Sequence, residues 1–227
     1  MFAEYRPEEL LGLLNEVEGK NAPKTLFVSG DTGLLKRKRV SVVGSRKASA
    51  EGLARARAFA RELVKRGVTV VSGLAEGIDT AAHEATLEAG GKTIAVLGTP
   101  LDQAFPAKNR PLQERIMREE LAVSQFPTGY PSKRENFPMR NRTMALLSDA
   151  TVIVEAGEKS GSLHQGWEAL RLGRPLFLME SILEKKDLKW PNEMRHYGAE
   201  VLSRENLELL FDLLPEGSRE ERASVTF

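Results

Sequence analysis

Short runs of apolar residues recur along the chain, and several end in glycine or serine directly before a segment with helical periodicity. The clearest runs are residues 40–43, 68–72, 93–97 and 151–154. Runs of four or five apolar residues are typical of strands that are buried on both faces. A helical segment between two such strands supplies the crossover that parallel pairing needs. The alternation predicts an α/β fold, a single domain with a mostly parallel sheet and helices on both faces.

Three stretches differ in their predicted organisation. Residues 1–21 are expected to form an N-terminal helical extension, because the leucines and the valine of residues 6–18 fall near one face of a helix. Residues 22–214 are expected to form the α/β domain, without an internal repeat or a second domain. Residues 215–227 are rich in charge and are expected to be a disordered tail.

Local signals also predict where helices begin and end. Ser49 is predicted to cap a helix that runs to about Lys65, and Gly67 is predicted to close it. Further helices are expected over residues 108–119 and 139–148. With these helix boundaries, the glycine and serine turns lie directly after the carboxyl ends of the strands. Parallel sheets bind their ligands at these strand ends.

Composition excludes several kinds of site. The chain has no cysteine, so it has no disulfide framework, no thiolate zinc site and no cysteine nucleophile. This absence suits a reducing compartment and predicts a cytoplasmic protein. No apolar run approaches 18 residues, and the N-terminal segment carries acids early, so neither a membrane span nor a secretory signal is expected.

Net charge restricts how the chain can bind nucleic acid. It carries 33 basic and 32 acidic residues, a formal charge of +1. Proteins that bind nucleic acid through their overall charge show a larger excess, so such a site here must be a local cluster. The run from Lys36 to Arg39 is interpreted as the solvated, charged end of a hairpin. The other basic residues of interest lie inside motifs.

The first motif, Gly44-Ser45-Arg46, follows a predicted strand and precedes a predicted helix. Glycine allows a sharp turn, and the serine hydroxyl and the backbone amides can donate hydrogen bonds to a phosphate. Arg46 can bind a phosphate through two parallel hydrogen bonds. A tight turn with a merely exposed arginine explains the motif equally well.

The second motif spans residues 72–79, Ser-Gly-Leu-Ala-Glu-Gly-Ile-Asp. Ser72 and Gly73 end a predicted strand, and Gly77 opens the next helix, so these three residues are candidates for a phosphate-binding turn. The spacing differs from the G-x-G-x-x-G dinucleotide fingerprint, and no P-loop sequence is present. An NAD site and a P-loop ATPase are therefore disfavoured.

The third motif lies in the proline-rich stretch 126–148, where an aromatic residue stands between basic groups. Aromatic rings stack on bases and guanidinium groups hold the backbone of single strands. The alternative is a surface loop in which Phe137 folds back onto the core. The candidate residues are Lys133, Arg134, Phe137, Arg140, Asn141 and Arg142.

The fourth motif, Ser160-Gly161-Ser162, follows strand 151–154 and again leads into a predicted helix. Several such turns at one edge of a sheet favour one shared anion site over several idle turns. Catalytic patterns are weak. His83 is expected to be structural or solvent-facing, whereas His164 is a candidate for the cleft, and no metal or cofactor site is predicted.

Taken together and in this order, the motifs resemble those of the DprA/Smf DNA-processing family. The resemblance covers roughly residues 22–202, nearly the whole chain. Its most specific parts are the SGLAEGID and FPMRNR sequences. The matching stretches include residues 42–49, 68–99, 105–110, 137–148 and 152–163.

The resemblance implies an extended Rossmann-like fold and a positively charged pocket for single-stranded DNA. It further implies that the protein protects this DNA, loads a RecA-type recombinase onto it during natural transformation or recombination, and forms a homodimer. By resemblance, Arg46 holds a backbone phosphate, Arg134 or Lys133 with Phe137 grips a nucleotide, and Gly161 shapes the pocket.

Three functions are compatible with these features. The favoured hypothesis is a non-enzymatic protein that binds single-stranded DNA. The second is a nucleotide sensor or nucleoside-phosphate hydrolase of the same superfamily, although its P-G-G-x-G-T turn is replaced here by residues 158–163, EKSGSL. The third is an interaction module that has lost its ligand, which the intact motifs disfavour.

Overall fold

The computed structural model describes residues 2–185 and 187–216. Within them the chain forms nine strands in one sheet, with α-helices packed against it. The strands are β1 (Ala3–Tyr5), β2 (Leu26–Gly30), β3 (Arg39–Gly44), β4 (Thr69–Ser72), β5 (Thr93–Leu97), β6 (Leu121–Ser124), β7 (Ala150–Glu155), β8 (Leu176–Met179) and β9 (Glu200–Leu202).

The α-helices of the described residues alternate with these strands. They are α1 (Pro7–Leu11), α2 (Glu16–Asn21), α3 (Ala50–Lys65), α4 (Ile78–Glu88), α5 (Arg110–Glu119), α6 (Asn136–Leu147), α7 (Ser162–Arg171), α8 (Trp190–His196) and α9 (Leu207–Asp212). None of these helices combines the length and the hydrophobicity of a membrane-spanning segment. The predicted tail lies outside the described residues from position 217 onward.

The order of the strands confirms the predicted α/β class. It is β1-β2-β6-β5-β4-β3-β7-β8-β9, with antiparallel pairing of β2 to both β1 and β6 and parallel pairing elsewhere. The stretch β5-β4-β3-β7-β8-β9 has the strand order of a Rossmann fold. The chain leaves β3 toward β4 on one side and returns as β7 on the other, so the sheet reverses its strand order between β3 and β7.

Helices cover both faces of the sheet. Side chains that alternate along β3 pack against the helices of one face and then of the other. Val42 points into a core with Phe59 of α3 and Ala81 of α4. Val43 points to the opposite face, into a core with Met144 of α6 and Met194 of α8. Because strand side chains alternate between faces, consecutive valines serve two separate cores.

The N-terminal segment corrects one prediction. The single helix expected over residues 6–18 is wrong, since α1 ends at Gly12, whose φ is 73°. Asn15 then starts α2 by accepting a hydrogen bond from Glu18 N–H and forming a capping box with it. β1, at the start of the segment, pairs with β2 and so joins the sheet. Hydrophobic periodicity predicted helical structure in this segment but not the interruption at Gly12.

The prediction that the basic run 36–39 forms the end of a hairpin is also wrong. β2 and β3 are not neighbours in the sheet, so the run is not a hairpin end. Arg39 is 1% exposed and its Nη2 lies 3.0 Å from Asp149 Oδ1. The Arg39 guanidinium also donates to the carbonyl of Leu35. A buried charge is tolerated because it is both paired and hydrogen-bonded.

Helix boundaries agree well with the sequence signals. Ser49 caps α3 by accepting a hydrogen bond of 3.0 Å from Gly52 N–H, and Gly67 follows the helix with a φ of 68°. α5 and α6 begin within a few residues of their predicted starts. No local signal predicted α8, whose Trp190 and Met194 are buried against the sheet.

Candidate functional site

The turns at the carboxyl ends of β3, β4 and β7 meet above the point where the strand order reverses. They enclose a cleft of about 700 Å³ together with the first half of α6. Ligands of open α/β sheets bind at this position. The cleft brings together ten of the residues singled out from the sequence, namely Gly44, Ser45, Arg46, Arg134, Phe137, Arg140, Asn141, Ser160, Gly161 and Ser162.

Close packing fixes the turn after β3. A Cβ added to Gly44 would lie 2.6 Å from Ile78 Cγ1 and 2.7 Å from the carbonyl oxygen of Glu155, so the turn requires glycine. Ser45 N–H donates to that carbonyl at 2.7 Å, and Lys47 N–H donates to Ser45 Oγ at 3.2 Å. Both amides are therefore occupied, and the side chains of Arg46 and Lys47 are left to meet an anion.

Phe137 lies at the wall of the cleft rather than in the core. The guanidinium carbon of Arg46 is 5.3 Å from its ring centroid, within the range of a cation–π contact. The centroid of the Phe105 ring lies 5.2 Å from that of Phe137. The alternative, in which Phe137 folds back onto the core, therefore does not describe the structure.

Arg140 is 5% exposed and occupies the floor of the cleft. Its Nη1 donates to the carbonyl of Val96 at 2.8 Å and to that of Gly73, and its Nε donates to Asn141 Oδ1 at 3.0 Å. Burial lowers the pKa of Arg140 to about 10, so the group keeps its charge at neutral pH. Asn141 in turn donates to the carbonyl of Gly161 and ties α6 to the turn after β7.

Asp79 is the carboxylate nearest to this arginine in the cleft. Its Oδ2 accepts hydrogen bonds from Gly73 N–H at 3.1 Å and Ala75 N–H at 3.4 Å. Burial raises the pKa of Asp79, while the charge of Arg140 and the two amide donors oppose the rise. The carboxylate thereby organises the turn after β4 beneath the cleft.

Four cations line the cleft without forming an ion pair to any carboxylate of the described residues. They belong to three different loops, so the fold and not the local sequence assembles them. Together with buried Arg140 they outnumber the single cleft carboxylate, Asp79. The four are Arg46, Lys47, Arg134 and Lys159.

Five further residues predicted from the sequence lie outside the lining of this cleft. Ser72 is fully buried and donates to the carbonyl of Val42. Gly73 lines a smaller adjoining cavity, and Gly77 packs under the carbonyl of Ser45. Lys133 lies 3.9 Å from Glu135, and Arg142 lies 3.1 Å from Glu168 on the surface.

Glu155 ends β7 and links the turn after β3 to α3. Its carboxylate accepts hydrogen bonds from Ser49 N–H at 2.9 Å and Ser49 Oγ at 2.6 Å, and Arg55 lies 3.5 Å away. Burial alone would raise the pKa of Glu155, but these hydrogen bonds and the nearby cations bring it below its ordinary value.

The other ionisable candidates are dispersed. Glu76 forms an ion pair with Lys108 at 3.0 Å. His83 is buried and bonded to Thr93 Oγ1 at 2.7 Å, which confirms its structural role, whereas His164 lines the cleft. The described residues contain no group of three or more acidic or histidine side chains placed to hold a metal.

Lys159 and Phe105 are among the residues of the site that the sequence did not single out. Lys159 directly precedes Ser160 in the fourth motif, and its position in that motif was the available signal. Phe105 is 51% exposed and contacts the ring of Phe137. Its signal was the stretch 105–110, which carries the family resemblance but has no recognisable phosphate-binding pattern.

Comparison with known proteins relates the chain to one family. Residues 4–212 match the family model described as DNA recombination-mediator protein A. Protein Smf of Synechocystis is 42% identical over 74% of this chain and 42% of its own length. DNA processing protein DprA of Streptococcus pneumoniae is 42% identical over 72% of this chain and 58% of its own length. The chain thus spans about half the length of these curated relatives.

Solved structures agree with this relation. The X-ray structure of DprA from Streptococcus pneumoniae has a TM-score of 0.80 at 34% identity, over 91% of this chain and 74% of that one. A structure of DNA processing protein A from Helicobacter pylori, described by its single-stranded DNA binding mode, has a TM-score of 0.77 at 29% identity, over 93% and 97%. A molybdenum cofactor carrier protein of Chlamydomonas, 20% identical over 78% of this chain and 97% of that one with a TM-score of 0.54, shares the fold alone.

Proposed function

Because the chain belongs to the DNA recombination-mediator protein A family, we propose that it binds single-stranded DNA in the cleft between β3 and β7. The observation that carries the proposal is the set of four cations that line the cleft together with Phe137 and form no ion pair among the described residues. Guanidinium and ammonium groups bind the phosphates, while the aromatic ring offers a face to a base. The Helicobacter relative, whose structure is described by its single-stranded DNA binding mode, supports the proposal.

Arg46 is the residue that tests the proposal most directly. Arg46→Ala removes a charged donor at the mouth of the cleft and should weaken binding by about 1–3 kcal/mol. Fluorescence anisotropy with labelled oligo-dT at low salt measures the effect, and double-stranded DNA of equal length reports the preference for single strands. If Arg46→Ala and the unchanged protein bind oligo-dT with equal affinity, the cleft is not the binding site for single-stranded DNA.

Arg37→Ala provides a matched control. Arg37 lies before β3, at the edge of the sheet opposite the cleft, where it donates to the carbonyl of Gly67 at 3.2 Å. The substitution removes the same charge from the molecule and should leave affinity for oligo-dT near that of the unchanged protein. A loss equal to that of Arg46→Ala would mean that overall charge, and not the cleft, governs binding.

The proposed role extends to recombination. We propose that the protein protects single-stranded DNA and promotes loading of a RecA-type recombinase onto it in the cytoplasm, acting as a homodimer in DNA uptake or recombination. The proposal rests on family membership. Sedimentation of the purified chain tests the dimer, and recombinase ATPase on DNA coated with single-strand binding protein tests loading. A monomer in sedimentation would contradict the proposed homodimer. An unchanged ATPase rate would contradict the proposed loading of the recombinase.

The proposal is that of a binding protein rather than an enzyme. Incubation with AMP distinguishes it from a nucleoside-phosphate hydrolase, since a hydrolase would release free base. Mass spectrometry of the native protein likewise distinguishes it from a nucleotide sensor. Release of base that is lost in Arg46→Ala would replace the DNA-binding proposal with the hydrolase.

A further inference from the structure

Two loops follow the neighbouring strands β5 and β6, and each supplies one side chain to the lining of the cleft. The loop after β5 covers residues 98–106 and carries Phe105. The loop after β6 covers residues 125–135 and carries Arg134. The cation that Arg134 brings to the cleft can act there only if the second loop is held in place.

The segment that carries Arg134 has little packing of its own. Residues 131–135 are all exposed. Among the described residues, two side chains from outside the segment 130–135 form hydrogen bonds with it, those of Asn136 and Gln103. An exposed segment with few contacts adopts many conformations, and ordering it when a ligand binds costs conformational entropy. The position of Arg134 therefore depends on how these contacts hold the segment.

Gln103 joins the two loops through both ends of its amide group. Its Oε1 accepts a hydrogen bond of 2.9 Å from Ser132 Oγ, and its Nε2 donates to the carbonyl of Tyr130 at 3.5 Å. Both partners stand shortly before Arg134 in the chain. One side chain of the loop after β5 thus holds two neighbouring positions of the loop after β6.

The backbone of Gln103 is fixed independently of its side chain. Its N–H donates to the carbonyl of Pro100 at 3.0 Å, and its carbonyl accepts from Thr99 Oγ1 at 2.8 Å and from Gln113 Nε2 at 3.3 Å. Gln113 belongs to α5 and is buried. The amide is therefore presented from a firm base, and a change of the side chain leaves these backbone bonds in place.

We propose that Gln103 is a positioning residue for the proposed binding of single-stranded DNA, on which this inference rests. Gln103 holds the loop after β6 so that Arg134 is ready for a phosphate before the strand arrives. It acts through Arg134 and has no contact of its own with the strand. Binding is tighter when the ordering of a ligand-binding group belongs to folding and not to association.

Gln103→Met tests the proposal, because methionine keeps the length of the side chain and removes both hydrogen bonds. The variant should bind oligo-dT about two- to tenfold more weakly, the range given by the net loss of one hydrogen bond. The loss should not exceed that of Arg134→Ala. Ser132→Ala removes the donor to Gln103 Oε1 and should cause a smaller loss in the same direction. Fluorescence anisotropy at low salt measures all of these affinities.

Combined variants show whether Gln103 acts through Arg134. Gln103→Met should cause no further loss of affinity in Arg134→Ala, whereas it should cause its full loss in Arg46→Ala. The dependence on salt gives a second readout. Arg134→Ala should reduce the slope of log K against log salt concentration by about 0.7 in magnitude, and Gln103→Met should change the slope in the same direction. A side chain that only stabilises the fold would affect neither the coupling nor the slope.

Asn21→Ala provides a matched control. Asn21 also carries a surface amide, which donates to the carbonyl of Val17 at 3.2 Å at the end of α2. The substitution removes a hydrogen bond of the same kind and should leave both the affinity and the salt slope unchanged. Circular dichroism of each variant shows that it is folded at the temperature of the titration.

The outcomes separate this inference from the proposed function. If Arg134→Ala weakens binding and Gln103→Met does not, the positioning role is overturned while the cleft remains the binding site. Equal losses from Gln103→Met with and without Arg134 also overturn it, since Gln103 would then act by another route. Failure of the unchanged protein to bind any single strand at low salt overturns both proposals together.

Discussion

Arg39 and Arg46 lie at the two ends of the same strand and have opposite roles. Arg39 is enclosed with Asp149 at the amino end of β3, whereas Arg46 stands beyond the carboxyl end and lines the cleft. The guanidinium of Arg39 is committed to its buried ion pair, whereas that of Arg46 is available to an incoming anion. At the scale of the residue, the position on the strand decides the role of an arginine.

His83 gives a prediction for pH dependence at this scale. Burial lowers the pKa of His83 to about 3 from the ordinary 6.5. Between these two pH values the imidazole is protonated in the unfolded chain but neutral in the folded chain. The stability associated with neutral His83 is complete above pH 6.5 and falls by about 1.4 kcal/mol for each pH unit below it. We expect Tm to drop between about pH 7 and pH 5, and to drop less in His83→Gln, whose side chain can still bond Thr93 but does not titrate.

Thermal unfolding followed by circular dichroism across this pH range measures the effect. His196→Gln is the control, because His196 lies on the exposed surface of α8 and contacts Tyr197. This variant should keep the pH dependence of the unchanged protein. Parallel curves for His83→Gln and the unchanged protein would show that His83 is not the group responsible.

At the scale of the element, the start of α3 and the end of β7 are joined through one serine. Ser49 accepts from Gly52 N–H as the helix cap and at the same time donates to the Glu155 carboxylate. The backbone carbonyl of Glu155 also holds Ser45 N–H. The cap of one helix therefore supports the turn that carries Arg46, and helix stability and cleft geometry are linked.

Ser49→Ala should lower the free energy of unfolding by about 1–3 kcal/mol. The cap alone contributes roughly 1 kcal/mol, and the Glu155 carboxylate loses a hydrogen bond in a partly buried position. Urea unfolding measures the loss. Ser49→Thr retains the hydroxyl and should restore most of the stability, so an equal loss in both variants would mean that the hydroxyl is not the cause.

At the scale of the whole molecule, nearly balanced charge coexists with a concentrated positive cleft. The net charge is +1, yet one cleft is lined by four cations that form no ion pair among the described residues, namely Arg46, Lys47, Arg134 and Lys159. Elsewhere the basic side chains often pair with acids, as Arg142 does with Glu168. The cleft is therefore a local concentration of positive charge within the part of the chain that the structure describes.

This distribution predicts a moderate dependence of binding on salt. Each phosphate contact on a single strand contributes about −0.7 to the slope of log K against log salt concentration, so four contacts give about −3. Anisotropy titrations with oligo-dT over a series of salt concentrations measure the slope. Arg46→Ala should reduce its magnitude by about one contact, whereas a slope twice as steep would require a surface much larger than the cleft.

Features that depend on neighbouring residues were predicted from the sequence, whereas contacts between residues distant in the sequence were not. The strands and their turns were predicted because buried apolar runs and helix caps are local signals, as Ser49 shows. Ser72 and Arg142 were grouped with the site because they stand within its motifs. Their side chains instead meet Val42 and Glu168, which belong to other elements.

The amino-acid sequence by itself determined the α/β class, most helix limits and the turns that form the cleft, because neighbours along the chain supply periodicity and caps. Only the tertiary structure decided that Arg39 is buried and that Phe105 meets Phe137. The partner of Arg39 lies 110 positions away along the chain. Such contacts depend on the order in which the strands pair, and side chains distant in sequence meet only after that order is set.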